Sequence, residues 1–89
     1  MAKSKLQLFL FFTPTCPGCK VLANRFREEK LNYKYINCTD EKSTEIVSKC
    51  EVRGSVPVTV ILKDNDIKYW KQGTNVDITE VRSILSGAR

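Results

Sequence analysis

The stretch FFTPTCPGCK, Phe11 to Lys20, sets two cysteines either side of Pro17 and Gly18, directly after a run of large apolar residues. Upstream, Leu6, Leu8, Leu10 and Phe12 alternate with Gln7, Phe9 and Phe11, the pattern of a strand buried on both faces and central in a sheet. Downstream, Cys19, Leu22, Ala23 and Phe26 recur at helical spacing while Lys20, Asn24, Arg25, Arg27 and Glu28 take the other side. That spacing predicts an amphipathic helix from Pro17 to about Lys30. Pro17 suits the first helical position, where its missing N–H costs nothing. Cys16 is then the N-cap, its sulfur facing the free N–H groups and the positive end of the helix dipole, which favour thiolate.

From this junction the rest of the chain reads outward. Tyr33 to Asn37 is a second short strand, and Thr39 and Asp40 are N-caps for a helix carrying Ile46 and Val47 that ends near Cys50. Arg53-Gly54-Ser55 marks a loop, and Val56 to Leu62 is a β-branched strand with Pro57 near its start. A tight turn at Asp64-Asn65-Asp66 returns the chain as a strand over Ile67 to Trp70, broken at Gly73-Thr74-Asn75. Asp77 with Glu80 resembles a capping box that opens a last helix with a stripe of Ile78, Val81, Ile84 and Leu85 and a stop at Gly87. The order βαβαββα predicts an α/β fold, a four-stranded mixed sheet flanked by three helices.

The chemistry follows from the spacing of the thiols. Cys19 lies one turn beyond Cys16 on the same side, near bridging distance. Cys16 is therefore expected to attack a partner disulfide, and Cys19 to displace the reduced partner while closing a Cys16–Cys19 disulfide. The chain has no histidine, which excludes a Cys-His hydrolase and a mixed cysteine-histidine zinc site. Activation then falls to the backbone and dipole, with Lys20 a candidate to help hold the thiolate. An all-cysteine metal site completed by Cys38 and Cys50 lacks the second close pair usual in such sites. Those two read as small buried hydrophobes, and Trp70 as core or rim packing. A non-enzymatic metal or iron-sulfur carrier using the same thiols stays open as the alternative.

Length and charge bound the rest. At 89 residues, 42% hydrophobic and 28% charged, the chain is expected to form one domain over residues 1–89, with no bound cofactor beyond its redox-active disulfide. Four cysteines invite comparison with a secreted disulfide scaffold, yet long strand-like and helix-like runs supply a core without crosslinks. Lys3 and Lys5 before the apolar run mimic a signal peptide, but Gln7 interrupts it and no Ala-x-Ala site follows. A reducing, cytoplasmic setting is the expectation, with no membrane span. The net charge of +5 is scattered and interleaved with acids, as in Arg27-Glu28-Glu29-Lys30, so the expectation is a solvated surface and no nucleic acid.

Thr15-Cys16-Pro17-Gly18-Cys19 after a hydrophobic strand, Ser55-Val56-Pro57 before another, and Gly73 before a terminal helix resemble a short glutaredoxin or glutaredoxin-like thioredoxin along essentially the whole chain. The resemblance implies a thioredoxin fold and thiol-disulfide oxidoreductase activity: a monomeric dithiol electron donor to protein disulfides, with ribonucleotide reductase a frequent target in the family. It implies that Pro57 is cis and faces the disulfide, and that Val56 pairs its backbone with an extended substrate. Thr15, Gly73 and Thr74 take the remaining substrate-binding places, and Pro17 and Gly18 complete the motif. Glutathione-using members carry a basic residue shortly before the first cysteine and Gly-Gly before the last helix, where this chain has Thr13-Pro14-Thr15 and Gln72-Gly73-Thr74-Asn75. Thioredoxins carry Trp-Cys-Gly-Pro-Cys and a buried aspartate, where this chain has Thr15 and Leu10. Of the two reductants the family uses, a thioredoxin reductase-like donor is therefore expected over glutathione.

Overall fold

The structure is a computed structural model and describes residues 6–64 and 66–86. The elements are β1 (Leu6–Phe12), α1 (Pro17–Glu28), β2 (Tyr33–Asn37), a 3-10 turn (Glu41–Ser43), α2 (Thr44–Lys49), β3 (Val58–Lys63), β4 (Asp66–Gln72) and α3 (Ile78–Leu85). They form one four-stranded sheet in the order β2-β1-β3-β4. β1 pairs in parallel with β2, Leu8 opposite Tyr33 through Phe12 opposite Asn37, and antiparallel with β3, Leu6 opposite Lys63 through Phe11 opposite Val58. The doubly apolar β1 is thus an inner strand, and its alternation divides the core. Leu8 and Leu10 pack with Leu22 and Phe26 of α1 and with Ile78 and Val81 of α3. Phe9 and Phe11 pack on the other face with Val58, Val60, Leu62 and Cys50, under Ile46 and Val47 of α2.

Several boundaries differ from the sequence reading, each for a local reason. α1 stops at Glu28 rather than Lys30, because Lys30 takes a left-handed φ of 59°. The Lys30 N–H then bonds Arg27 O and the Leu31 N–H bonds Phe26 O, a C-terminal cap built without the usual glycine. Glu51, with φ 56°, ends the next helix the same way: its N–H bonds Ser48 O, and that of Val52 bonds Val47 O. The second helix is split, since Asp40 caps a 3-10 turn through Lys42 N–H before α2 begins at Thr44. β3 begins at Val58 rather than Val56, and β4 runs through Gln72 rather than stopping at Trp70. Asp77 caps α3 by accepting the Glu80 N–H at 3.2 Å, one half of the capping box that the sequence resembles. Gly87, Asn65, Lys3 and Lys5 lie outside the described residues.

Candidate functional site

The strand-to-helix junction at the end of β1 is built as the sequence dictates. Pro17 opens α1 and Cys16 is its N-cap, with extended backbone and a sulfur that accepts the Cys19 N–H at 3.2 Å. The Cys16 N–H in turn donates to Thr13 O at 3.2 Å, which fixes the approach of the loop. Cys16 is partly exposed, whereas Cys19 is fully buried. All four cysteines are free thiols. The asymmetry between two cysteines one turn apart is the first chemical fact of the site: one is partly exposed with a sulfur that accepts a helix N–H, the other is buried.

Across from the motif stands the loop that leads into β3. The Val56–Pro57 peptide bond is cis, as the family resemblance implied. The Cys16 thiol points at Val56 O, 3.7 Å away, a long contact even for sulfur. The Gly73 N–H donates to Pro57 O at 2.8 Å, so the turn after β4 is fastened to the same loop. Gly18 fits closely against this wall: a Cβ there would lie 3.1 Å from Thr74 Cγ2 and 3.9 Å from Pro57 Cδ. Cys16, Gly18, Val56, Pro57, Gly73 and Thr74 are therefore brought together from three separate parts of the chain. Thr15 and Lys20 are exposed, and Lys20 lies on the other side of α1, in a groove against β2.

Cys38 and Cys50 belong elsewhere. Cys38 follows the last residue of β2, its N–H bonded to Phe12 O, and packs at the edge of the α2-side core. Cys50 is buried inside that core. Among the described residues no group of three or more His, Cys, Asp or Glu side chains gathers as a metal site.

Two contributors escaped the sequence reading. Gln72, the last residue of β4, donates from Nε2 to both Arg53 O at 3.1 Å and Ser55 O at 2.8 Å, holding the loop before Val56 in place. Tyr35 stacks on Phe12 with ring centroids 3.8 Å apart, beside the entrance to the motif. Its position two residues after Tyr33 put it on the α1 face of β2, the one sequence signal available. Trp70 is a rim residue that donates from its indole to Cys50 O at 3.2 Å. The site itself is open. A cavity of about 660 Å³ lies at the other end of the sheet between Leu6, Lys63, Lys68 and α3, and no motif residue lines it.

Burial sets the electrostatics of the shielded thiols. Burial, and next a hydrogen bond with Cys16, push Cys19 from its ordinary 9.0 up to about 12, although a bond from the Thr13 backbone pulls the other way. Burial likewise pushes Cys50 up to about 11, against a small downward pull from Lys49. The fold thus accommodates these thiols in neutral form. Their contribution to stability is complete below pH 9 and is lost as pH rises through 11 and 12, because only the unfolded chain releases their protons earlier. Urea midpoints are therefore expected to fall between pH 9 and 11. In Cys50→Ala the fall should be shallower, by on the order of 1–2 kcal/mol at pH 11. Parallel pH profiles for the two proteins would show that Cys50 is not held neutral by its surroundings.

Neither a family model nor any curated protein sequence matches the chain. Solved structures do. Thioredoxin f from spinach chloroplast, in its short form, superposes with a TM-score of 0.70 over 97% of this chain and 78% of its own, at 20% identity. The chain has the thioredoxin fold. Thioredoxin of Fasciola hepatica shares this fold with a TM-score of 0.67 at 20% identity, covering 98% of this chain and 84% of its own. Thioredoxin f2, in the structure of its complex with ferredoxin:thioredoxin reductase, gives 0.69 at 21% identity over 96% and 78%. In this thioredoxin fold the Cys16–Cys19 motif opens the helix between the two parallel strands, and the cis proline immediately precedes β3 beside it.

Proposed function

We propose that this chain is a thiol-disulfide oxidoreductase, a single-domain monomeric electron donor of the cytoplasm that reduces protein disulfides through Cys16 and Cys19. The observation that carries this reading is the pair itself: a solvent-facing sulfur that accepts an N–H at the helix N-terminus, backed by a buried thiol one turn on. Cys16 thiolate attacks one sulfur of the partner's disulfide; a Cys16–partner bond forms, the partner's S–S bond breaks, and the departing sulfur takes a proton. Cys19, losing its proton, then attacks the Cys16 sulfur. The Cys16–Cys19 bond forms, the second partner thiol leaves, and two electrons have passed to the partner. The Cys19 N–H aimed at Cys16 Sγ stabilises negative charge on that sulfur before attack and as it departs when the pair is reduced again. Val56, Pro57, Gly73 and Thr74 form the wall against which an extended substrate lies, with Thr15 at its lip.

A reductase-type protein is the proposed electron source, and ribonucleotide reductase is a candidate recipient. Thioredoxin f2 is known in complex with ferredoxin:thioredoxin reductase, which supports a reductase for a chain of this fold. On the Pro57 side of the motif the chemistry disfavours glutathione, whose carboxylates need cations or free helix-end N–H groups, since Lys20 and Arg27 lie on the other flank of α1. No cation stands at Thr13 to Thr15, the Gly73 N–H is spent on Pro57 O, and the Asp77 carboxylate already occupies the first turn of α3. The test is steady-state reduction of a protein disulfide with NADPH and thioredoxin reductase, compared with glutathione and glutathione reductase at matched protein concentration. Turnover with the first system and a near-background rate with the second is expected; the reverse would make the chain a glutathione-dependent enzyme, and no turnover with either would refute the redox reading.

A further inference from the structure

On the far side of α1 from the Pro57 wall, the helix and the edge strand β2 leave a groove of about 370 Å³ lined by Lys20, Ala23, Asn24, Arg27, Tyr33 and Tyr35. Its composition is one-sided. Two of the six lining residues are cations and none is an acid. Among the described residues the one ion pair is Arg82 with Glu29, so neither groove cation is neutralised by a carboxylate. Arg27 is held instead by Asn24, whose Oδ1 accepts from Nη2 at 2.8 Å, which leaves the guanidinium charge uncompensated while fixing its position. The floor is equally ordered: Tyr33 donates its hydroxyl to Ala23 O at 3.3 Å and packs edge-on against Phe26 with centroids 5.3 Å apart. Tyr35, 40% exposed, is stacked on Phe12 and meets Tyr33 edge-on at 6.2 Å. Fixed tyrosines beside an arginine are the residue types that concentrate binding energy in protein interfaces.

One end of the groove lies at the first turns of α1, close in sequence to the dithiol. Lys20 directly follows Cys19, and Tyr35 is stacked on Phe12, the last residue of β1, from which the motif loop departs. We propose that this α1–β2 groove docks an acidic, extended segment of the protein whose disulfide meets Cys16, a second contact on the opposite flank of the motif from Pro57; the proposal rests on the redox reading above. The occupant comes from another protein. Residues 1–5 and 87–89 of this chain carry no acidic side chain, and a second copy, itself at +5, is repelled rather than steered in. Carboxylates of the incoming segment would pair with Lys20 and Arg27 while its apolar side chains cover the exposed ring of Tyr35.

The test reads docking without turnover. A cysteine-free peptide of alternating glutamate and apolar residues is titrated into the ¹⁵N-labelled protein at low salt. Amide shifts are expected at Ala23, Asn24, Arg27 and Tyr35, and affinity should drop steeply with added salt. Arg27→Glu should weaken binding about fivefold or more, the scale of at least one exposed ion pair. Lys49→Glu, the same change in net charge on exposed α2, should leave binding within about twofold, where net charge acts only through screened long-range attraction. A dispersed spectrum for each variant certifies its fold. Equal weakening by both variants, shifts confined to other surfaces, or tighter binding of a single-stranded oligonucleotide at the same amides would each overturn the proposal. Because no thiol participates, absent docking with intact disulfide reduction sinks the groove alone, whereas docking without reduction sinks the redox reading and, with it, the disulfide-bearing identity of the occupant.

Discussion

Cys19→Ser is expected to arrest the protein halfway, with substrate covalently held on Cys16. The Cys16 sulfur is the one that reaches solvent, while Cys19 is fully buried behind it. First attack therefore proceeds in the variant, and the resolving attack cannot, since a serine hydroxyl is not ionised near neutral pH and cannot break an S–S bond. Incubation with an oxidised protein substrate should build up an intermolecular disulfide, visible as a thiol-sensitive band and as the summed mass. Cys16→Ser should capture nothing, and its steady-state reduction of protein disulfides should drop by about a thousandfold or more, as when a nucleophile is deleted. Alkylation at neutral pH should label Cys16 well before Cys19, whose thiol is pushed up to about 12 by burial and by its bond with Cys16. Trapping by Cys16→Ser, or faster labelling of Cys19, would reverse the two roles.

The second large effect concerns the frame beneath the motif. Phe26, two turns from Cys19 on α1, is fully buried, meets Tyr33 edge-on and packs into the cluster with Leu8, Leu10 and Leu22. Phe26→Ala should cost about 3–5 kcal/mol through lost burial and the cavity left behind. Domains of this size are stable by about 5–15 kcal/mol at most, so a large share of the protein should unfold at mild urea concentrations. Phe26→Leu, which refills most of the space, should cost roughly 1–2 kcal/mol. Val21→Ala, on the exposed face of the same helix, should stay within about 0.5 kcal/mol. Comparable urea midpoints for the wild type and Phe26→Ala would mean that α1 is not anchored through this ring.

How much of this was legible in the sequence depends on the range of the interaction. β1 was readable because its burial on both faces leaves an apolar run broken only at Gln7, and α1 because Cys19, Leu22, Ala23 and Phe26 mark its buried side. The Cys16 N-cap followed from Pro17 alone. Helix ends were less legible where Lys30 and Glu51 adopt left-handed backbone, since neither residue type announces that conformation. The start of β3 was misplaced because hydrophobic and β-branched character begins at Val56, whereas the ladder begins only beyond the cis bond, at Val58. Gln72 and Tyr35 act across the fold. A glutamine ending a strand has no periodic signature, and the bond it makes spans 17 to 19 positions of chain.

That glutamine has a consequence for how the site tolerates change. Its amide grips Arg53 and Ser55 by their carbonyl oxygens and takes no hold of their side chains. Gly54 between them, with φ 78°, is constrained by its backbone and by the 2.8 Å approach a Cβ would make to that amide. The residues flanking the glycine are exposed and are not. The approach to Val56–Pro57 is thus a fixed bracket with two exchangeable fittings: the side chains at positions 53 and 55 are free to differ in charge or bulk, and under the proposed function they are where the choice of disulfide partner would be tuned, while the proline they lead into keeps its place opposite Cys16.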